Sequence, residues 1–353
     1  MVPRVRPTQC DPTSSQHWSN AVLPGSDLLT ALPWLEGPWS ALRTYIADGR
    51  VPHALLVHGP AGTGKMELAR AFAARRLCPS ERGEFACGEC GSCRLLEAET
   101  HPDFVIVESP EPGKAVKTDL VRDIIASLSL RPQYAHNRMV LLPRVDRLNR
   151  YAANSLLKTL EEPDLQTCFV LLAEQPGAVP PTIRSRCQRV AVTLPPRAAT
   201  EAWLRNHVPA EEAQLRVIVA RGAPLLARSL DSSRLVARRD ILTSFEALAT
   251  GAADPIQVAG RWEKFGSEEL VSCLISWLED LIRLKIAPGP RAVHNPDLGS
   301  SLSTLAARLK LRALYRVLDL AFGAKRALSG QANRTLMLEE LAIACCRTAR
   351  GDR

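Results

Sequence analysis

No run of about 18 or more uncharged apolar residues occurs in this chain, so no segment is expected to span a membrane. The first thirty residues also lack an apolar signal core, which argues against export and for a cytoplasmic protein. They are rich in Pro, Ser and Thr without hydrophobic periodicity, and read as a flexible tail. Without a secretory signal, the ten cysteines are not expected to form disulfides. No internal repeat is present.

What is there suits a globular protein of two or three domains. The 353 residues exceed one ordinary core, and 46% are hydrophobic and 23% charged. The net charge of +8 is scattered. It fits a solvated basic surface as well as a phosphate-facing patch, with Arg122, Arg147 and Lys158 as candidate phosphate contacts.

From about Trp34 to Val192, short apolar runs alternate with amphipathic stretches. Strands are expected at His53–His58, Phe104–Val107, Arg138–Leu142, Cys168–Ala173 and Arg189–Leu194, and helices near Lys65–Leu77, Asp119–Leu130 and Ala152–Leu160. Such alternation implies a parallel sheet covered on both faces. Pro195–Pro196 then punctuates the chain, and short helical segments surround Gly222-Ala223-Pro224. From Val236 to Thr348 the pattern is helical, interrupted by a Pro/Gly-rich loop at Ala287–Asp297. Leu270, Cys273, Leu274, Trp277, Leu278, Leu281 and Ile282 recur at three and four, the stripe of a bundle core. The expected division is a tail (1–30), an α/β domain (31–194), a small helical lid (195–235) and a C-terminal helical domain (236–353).

Gly59-Pro60-Ala61-Gly62-Thr63-Gly64-Lys65 follows a strand and opens a helix. Its glycines let backbone N–H groups face phosphates, and the helix N-terminus and Lys65 add positive charge. Gly59, Gly62, Thr63, Gly64 and Lys65 are therefore candidate ATP contacts. A working loop places Ser or Thr next to hold magnesium, and here stands Met66, whose thioether is a poor ligand for a hard cation. The strand Met139–Leu142 should end in an Asp-Glu pair. It runs instead into Pro143-Arg144, and Asp146 belongs to the turn beyond. Both losses together describe a nucleotide fold without hydrolysis; weak ATP binding stays open.

Cys78, Cys87, Cys90 and Cys93 lie on a polar segment, Cys78–Arg94, bearing Gly88 and Gly91. Two-residue spacings let successive thiolates meet at one tetrahedral centre, and the glycines permit tight turns. A closed structural zinc site is favoured, with an iron–sulfur cluster or a redox pair as alternatives. Within Ser80–Cys93, Glu81, Glu84 and Glu89 beside one arginine make a poor phosphate binder. Cys168, Cys187, Cys273, Cys345 and Cys346 sit on apolar segments and read as buried small hydrophobes, while Cys10 lies in the tail.

Three stretches carry a resemblance to a known family. Tyr151-Ala152-Ala153-Asn154-Ser155-Leu156-Leu157-Lys158-Thr159-Leu160-Glu161-Glu162-Pro163 resembles the signature of bacterial clamp-loader subunits, which are AAA+ proteins. Thr182-Ile183-Arg184-Ser185-Arg186-Cys187 looks like their Ser-Arg-Cys motif. Ala332-Asn333-Arg334-Thr335-Leu336-Met337-Leu338-Glu339 resembles the last helix of their collar. The cysteine module and His101-Pro102-Asp103 after it are shared too. Met66, Pro143-Arg144 and Ala173-Glu174, where ATPase relatives carry sensor hydroxyls, are similar to the delta-prime branch rather than the ATP-hydrolysing gamma/tau branch, which is the alternative.

The resemblance implies an AAA+ domain, lid and helical collar, and a subunit that hydrolyses no ATP itself. It implies gamma/tau and delta subunits, a sliding clamp and primed DNA as partners. Arg186 becomes an arginine finger offered in trans to a neighbour's ATP. The competing reading of Arg186 is a structural arginine paired with a carboxylate of its own domain.

Overall fold

The computed structural model describes residues 25–80, 83–108, 118–127, 131–134, 137–162, 166–287, 293–328 and 333–350. The tail over 1–24 with Cys10, and positions 288–292 of the Pro/Gly-rich loop, lie outside the described residues. The chain divides into two compact units, one running to Pro196 and including Ala223–Ser229, the other taking Arg197–Gly222 and Leu230–Arg353.

The first unit is built on β1 (Ala54–His58), β2 (Phe104–Ile106), β3 (Arg138–Leu142), β4 (Thr167–Ala173) and β5 (Gln188–Ala191). They form one parallel sheet in the order β2-β3-β4-β1-β5. β3 and β4 are buried along their whole length and β1 all but at His58, which explains their nearly unbroken apolar runs. Helices α1 (Gly25–Ala31), α2 (Glu36–Ala47), α3 (Lys65–Leu77), α4 (Gly91–Glu97), α5 (Thr118–Ser127), α6 (Arg150–Glu161) and α7 (Pro181–Arg184) surround it. Alternate strand residues point to opposite faces. Leu56, Val140, Phe169 and Leu171 pack with Val121, Leu156 and Leu160 of α5 and α6. The other face is covered by α3, whose Leu68 and Phe72 are fully buried.

Three sequence expectations change here. The tail is shorter than 1–30, because Gly25–Ala31 is helical and packs on α3, with Leu28 and, just beyond it, Leu32 buried. Strand β5 stops at Ala191 rather than Leu194. Its partner β1 ends at His58, where the chain turns into the phosphate loop, and the Val192 N–H makes the last bond to the His58 carbonyl. The lid over 195–235 is not one body, since α10 (Pro224–Ser229) belongs to the sheet unit while α8 (Arg197–Leu204) and α9 (Ala210–Val219) belong to the other.

The second unit continues with α11 (Ser232–Ala249), α12 (Pro255–Glu263), α13 (Ser267–Ile286), α14 (Gly299–Arg308), α15 (Leu311–Ala327) and α16 (Arg334–Arg350). The stripe on α13 is its core: Leu270, Leu274, Trp277, Leu278 and Leu281 are almost fully buried with Phe245 and Trp262, whereas Cys273 is only half-buried at the edge. The far end of the Pro/Gly-rich loop is anchored as well. Asp280, fully buried, accepts from the backbone N–H groups of His294 and Asn295 and from Asn295 Nδ2. Among the described residues, no helix is long and apolar enough to cross a membrane.

Candidate functional site

The phosphate loop, the β3 end and the β4 end meet at the carboxyl edge of the sheet, where open parallel sheets place ligands. The loop is bonded to itself and to its unit. Lys65 Nζ donates to the Pro60 carbonyl at 2.6 Å, and Thr63 Oγ1 to the same oxygen at 2.9 Å. Trp34 Nε1 donates to the Thr63 carbonyl, and the Leu225 N–H to the Gly62 carbonyl. Gly62 has φ +69°, and a Cβ there would lie 2.5 Å from Leu226 Cγ, so only glycine admits α10 so close. At Gly59 a Cβ would meet the Val192 carbonyl oxygen at 1.9 Å. Lys65 is nearly buried, and burial pulls its ammonium below the ordinary lysine range.

At the β3 terminus the carboxylates lie beside Arg144 or accept from backbone, and no Asp-Glu pair ends the strand. Arg144 Nη2 lies 3.1 Å from Glu174 Oε2 at the end of neighbouring β4. Asp146, in a short turn at Val145–Arg147, uses Oδ2 to accept from the Glu174 and Gln175 N–H groups. The sequence placed Asp146 in this turn but missed the Arg144–Glu174 pair, whose only trace is opposite charge just past the ends of two strands.

Arg186 follows α7. Ile183 and Cys187 are buried in the sheet core four residues apart, which turns Arg186 outward with its side chain 35% exposed. Its Nη2 is 2.6 Å from Glu161 Oε1 at the end of α6, and Nη1 donates to the Thr182 carbonyl at 3.0 Å. The own-domain carboxylate that the competing reading expects is therefore present. Of the basic candidates, Arg122 and Lys158 are exposed and Arg147 half-buried.

Cys78, Cys87, Cys90 and Cys93 are brought together, their Sγ atoms all within 4.8 Å of one another. Three of the separations are 3.6, 3.9 and 4.0 Å. Four sulfurs about 2.3 Å from one tetrahedral ion stand about 3.8 Å apart, so the cluster fits a single metal ion. Cysteines bound to different irons of a cluster need wider spacing. Backbone N–H groups of Cys87 and Cys93 point at the sulfurs of Cys78 and Cys90. Three of the thiols differ as acids: amides of Glu89 and Cys90 hold Cys87 down at about 6, while burial pushes Cys90 and Cys93 up. Gly88 has φ +76°, as a tight turn requires. Gly91 does not turn the chain; it is small because a Cβ would meet the Tyr134 hydroxyl at 2.2 Å.

The module is fixed to the unit on two sides. Phe85 stacks on Trp39 with ring centroids 4.9 Å apart, and Glu84 accepts from Trp39 Nε1 and pairs with Arg43. On the other side, the Asp103 N–H donates to His101 Nδ1, so the neutral ring carries its proton on Nε2 and donates to Ser92 Oγ, which donates to the Leu77 carbonyl. Burial lowers the His101 pKa, which favours that neutral ring. The Asp103 carboxylate, fully buried, caps the Gln133 and Tyr134 N–H groups. His101 and Asp103 are thus a buried brace for the cysteine module. Replacing His101 by alanine leaves buried polar atoms unpaired and is expected to cost roughly 1–3 kcal/mol in urea unfolding. An unchanged midpoint would deny the brace.

Family comparison agrees with this arrangement. A family model described as DNA polymerase III, delta subunit, matches residues 35–195, and its C-terminal counterpart matches 232–345. The chain is 31% identical to the Pseudomonas aeruginosa DNA polymerase III subunit delta', covering 88% of this chain and 96% of that one. Its likeness to the Yersinia pestis subunit delta' is 34% over 75% of this chain and 80% of that one. The Bacillus subtilis subunit tau is 25% identical over 87% of this chain and 59% of its own length. With the parallel sheet, the four-cysteine module and a helical C-terminal unit all in place, the chain belongs to the delta' family of DNA polymerase III subunits.

Proposed function

We propose that this chain hydrolyses no ATP itself and supplies Arg186 in trans to ATP held by a neighbouring gamma/tau-type subunit, in the cytoplasm, while the loader places a sliding clamp on primed DNA. The observation that carries this reading is the β3 terminus. Arg144 and Glu174 pair where a metal-holding carboxylate would have to stand, next to a phosphate loop whose following residue is Met66. A site without magnesium ligands cannot neutralise charge developing on a transferred phosphoryl group. Arg186 lies apart from that loop in sequence and is half-exposed, as a group serving another subunit must be. Zinc held by Cys78, Cys87, Cys90 and Cys93 is structural, since four protein ligands leave no open position for chemistry. Collar helices in the second unit would join the complex, and delta would be a further neighbour.

The phosphate loop retains the residues to touch ATP weakly, but its lysine and threonine are engaged by Pro60. Purified chain is accordingly expected to turn over ATP no faster than buffer background, with or without primed DNA. Clear turnover that disappears in a Lys65→Ala variant would move the chain to the ATP-hydrolysing branch.

A further inference from the structure

The Arg186–Glu161 contact carries an inference beyond the finger itself. Both terminal nitrogens of one guanidinium are held from two sides: Nη2 by Glu161 at the end of α6, and Nη1 by the Thr182 carbonyl in α7 and, at 3.4 Å, by Ser185 Oγ just after it. Ile183 in α7 and Cys187 beyond it are both buried on either side of Arg186, so the backbone and the tip of the arginine are both constrained. The pair is open to water, the two side chains being 35% and 50% exposed. Such a pair is screened by solvent and salt and is weak. Weak pairing does not tie up a cation against the several charges of a triphosphate. It does select one orientation of a flexible side chain with five donors, leaving N–H groups for a second anion.

We propose that Glu161 is a positioning residue for Arg186, holding the guanidinium at the subunit surface so that its remaining donors meet the terminal phosphate of a neighbour's ATP. This rests on the reading of Arg186 as a finger. Glu161 touches no substrate; it acts by keeping Arg186 in one rotamer, so the reaction does not have to order that side chain. The opposing reading, that Glu161 sequesters the finger, requires a pair stronger than this exposure allows.

The test is DNA-stimulated ATP turnover by the reconstituted complex, with kcat and KM measured separately, for Glu161→Ala, Glu161→Gln, Arg186→Ala and the Glu161→Ala/Arg186→Ala double variant. Glu161→Ala is expected to lower kcat roughly two- to fivefold at low salt, the range of an exposed pair, with KM little changed. Glutamine keeps an acceptor oxygen and should recover part of the loss. Added to Arg186→Ala, the alanine change should cost nothing more, because the two residues act as one. Glu161 is half-exposed at a helix end, so assembly of the variant complex is expected to be normal. An unchanged or raised kcat in Glu161→Ala, or additive losses in the double variant, overturns the positioning role while leaving the finger intact. A fully active Arg186→Ala complex would instead overturn the finger reading on which it rests.

Discussion

The four-cysteine module is expected to carry zinc, and stripping it is expected to unfold residues 78–94 while the parallel sheet survives. Structural zinc contributes about 10–16 kcal/mol in small modules, because the ion alone gathers ligands that otherwise repel. Here burial favours the neutral thiols of Cys90 and Cys93, which a bound cation must overcome, and the module's ring contact is Phe85 on Trp39. The sheet has its own core in Leu56, Val140, Phe169 and Leu171 with α6, which contains none of these four cysteines. Cys90→Ser should therefore release one zinc per chain and expose 78–94 to protease, with retained helix and sheet signal in circular dichroism. Elemental analysis is the direct check. No zinc, or iron with visible absorption, would contradict the assignment.

Replacing Arg186 with alanine should leave the subunit folded and zinc-loaded, and the complex assembled, because the side chain is half-exposed and its pair with Glu161 is weak. The complex's DNA-stimulated ATPase should fall far more than stability does. An arginine finger neutralises charge on the transferring phosphoryl group and in other NTPases is worth about 10³–10⁵ in rate. That factor applies to the ATP site this chain faces; any site served by another subunit keeps its turnover, so the loss read in the whole complex is smaller. Lysine should rescue poorly, as a point charge lacks the planar fork that holds Glu161 and a phosphate together. Clamp-loading rate and ATP turnover of the intact complex report the effect, and normal values for the alanine variant would remove Arg186 from the mechanism.

The elements that announce themselves are those whose physics is local. The strand–loop–helix around Gly59–Lys65 and the cysteine spacing are complete within a few residues, and the structure has both. What a linear pattern does not carry lies where distant segments meet. Gly62 is constrained by Leu226 of α10, which is far along the chain but belongs to the same unit. Arg144 and Glu174 pair because β3 and β4 are neighbours in the sheet, which a linear pattern does not reveal. The Ser92–His101–Asp103 brace depends on a fold that brings α4 against the end of α3. Gly25–Ala31 was hidden by the Pro/Ser-rich composition around it, though Leu28 and Leu32 stand one helical turn apart.

The most direct test mixes the purified chain with a purified gamma/tau-type ATPase partner and measures ATP turnover. The chain alone should be silent, the partner slow, and the mixture faster than the sum of both, with the gain absent when the chain carries Arg186→Ala. Turnover by the chain alone, or equal stimulation by the wild-type and Arg186→Ala chains, would contradict a subunit that supplies its arginine to another's ATP.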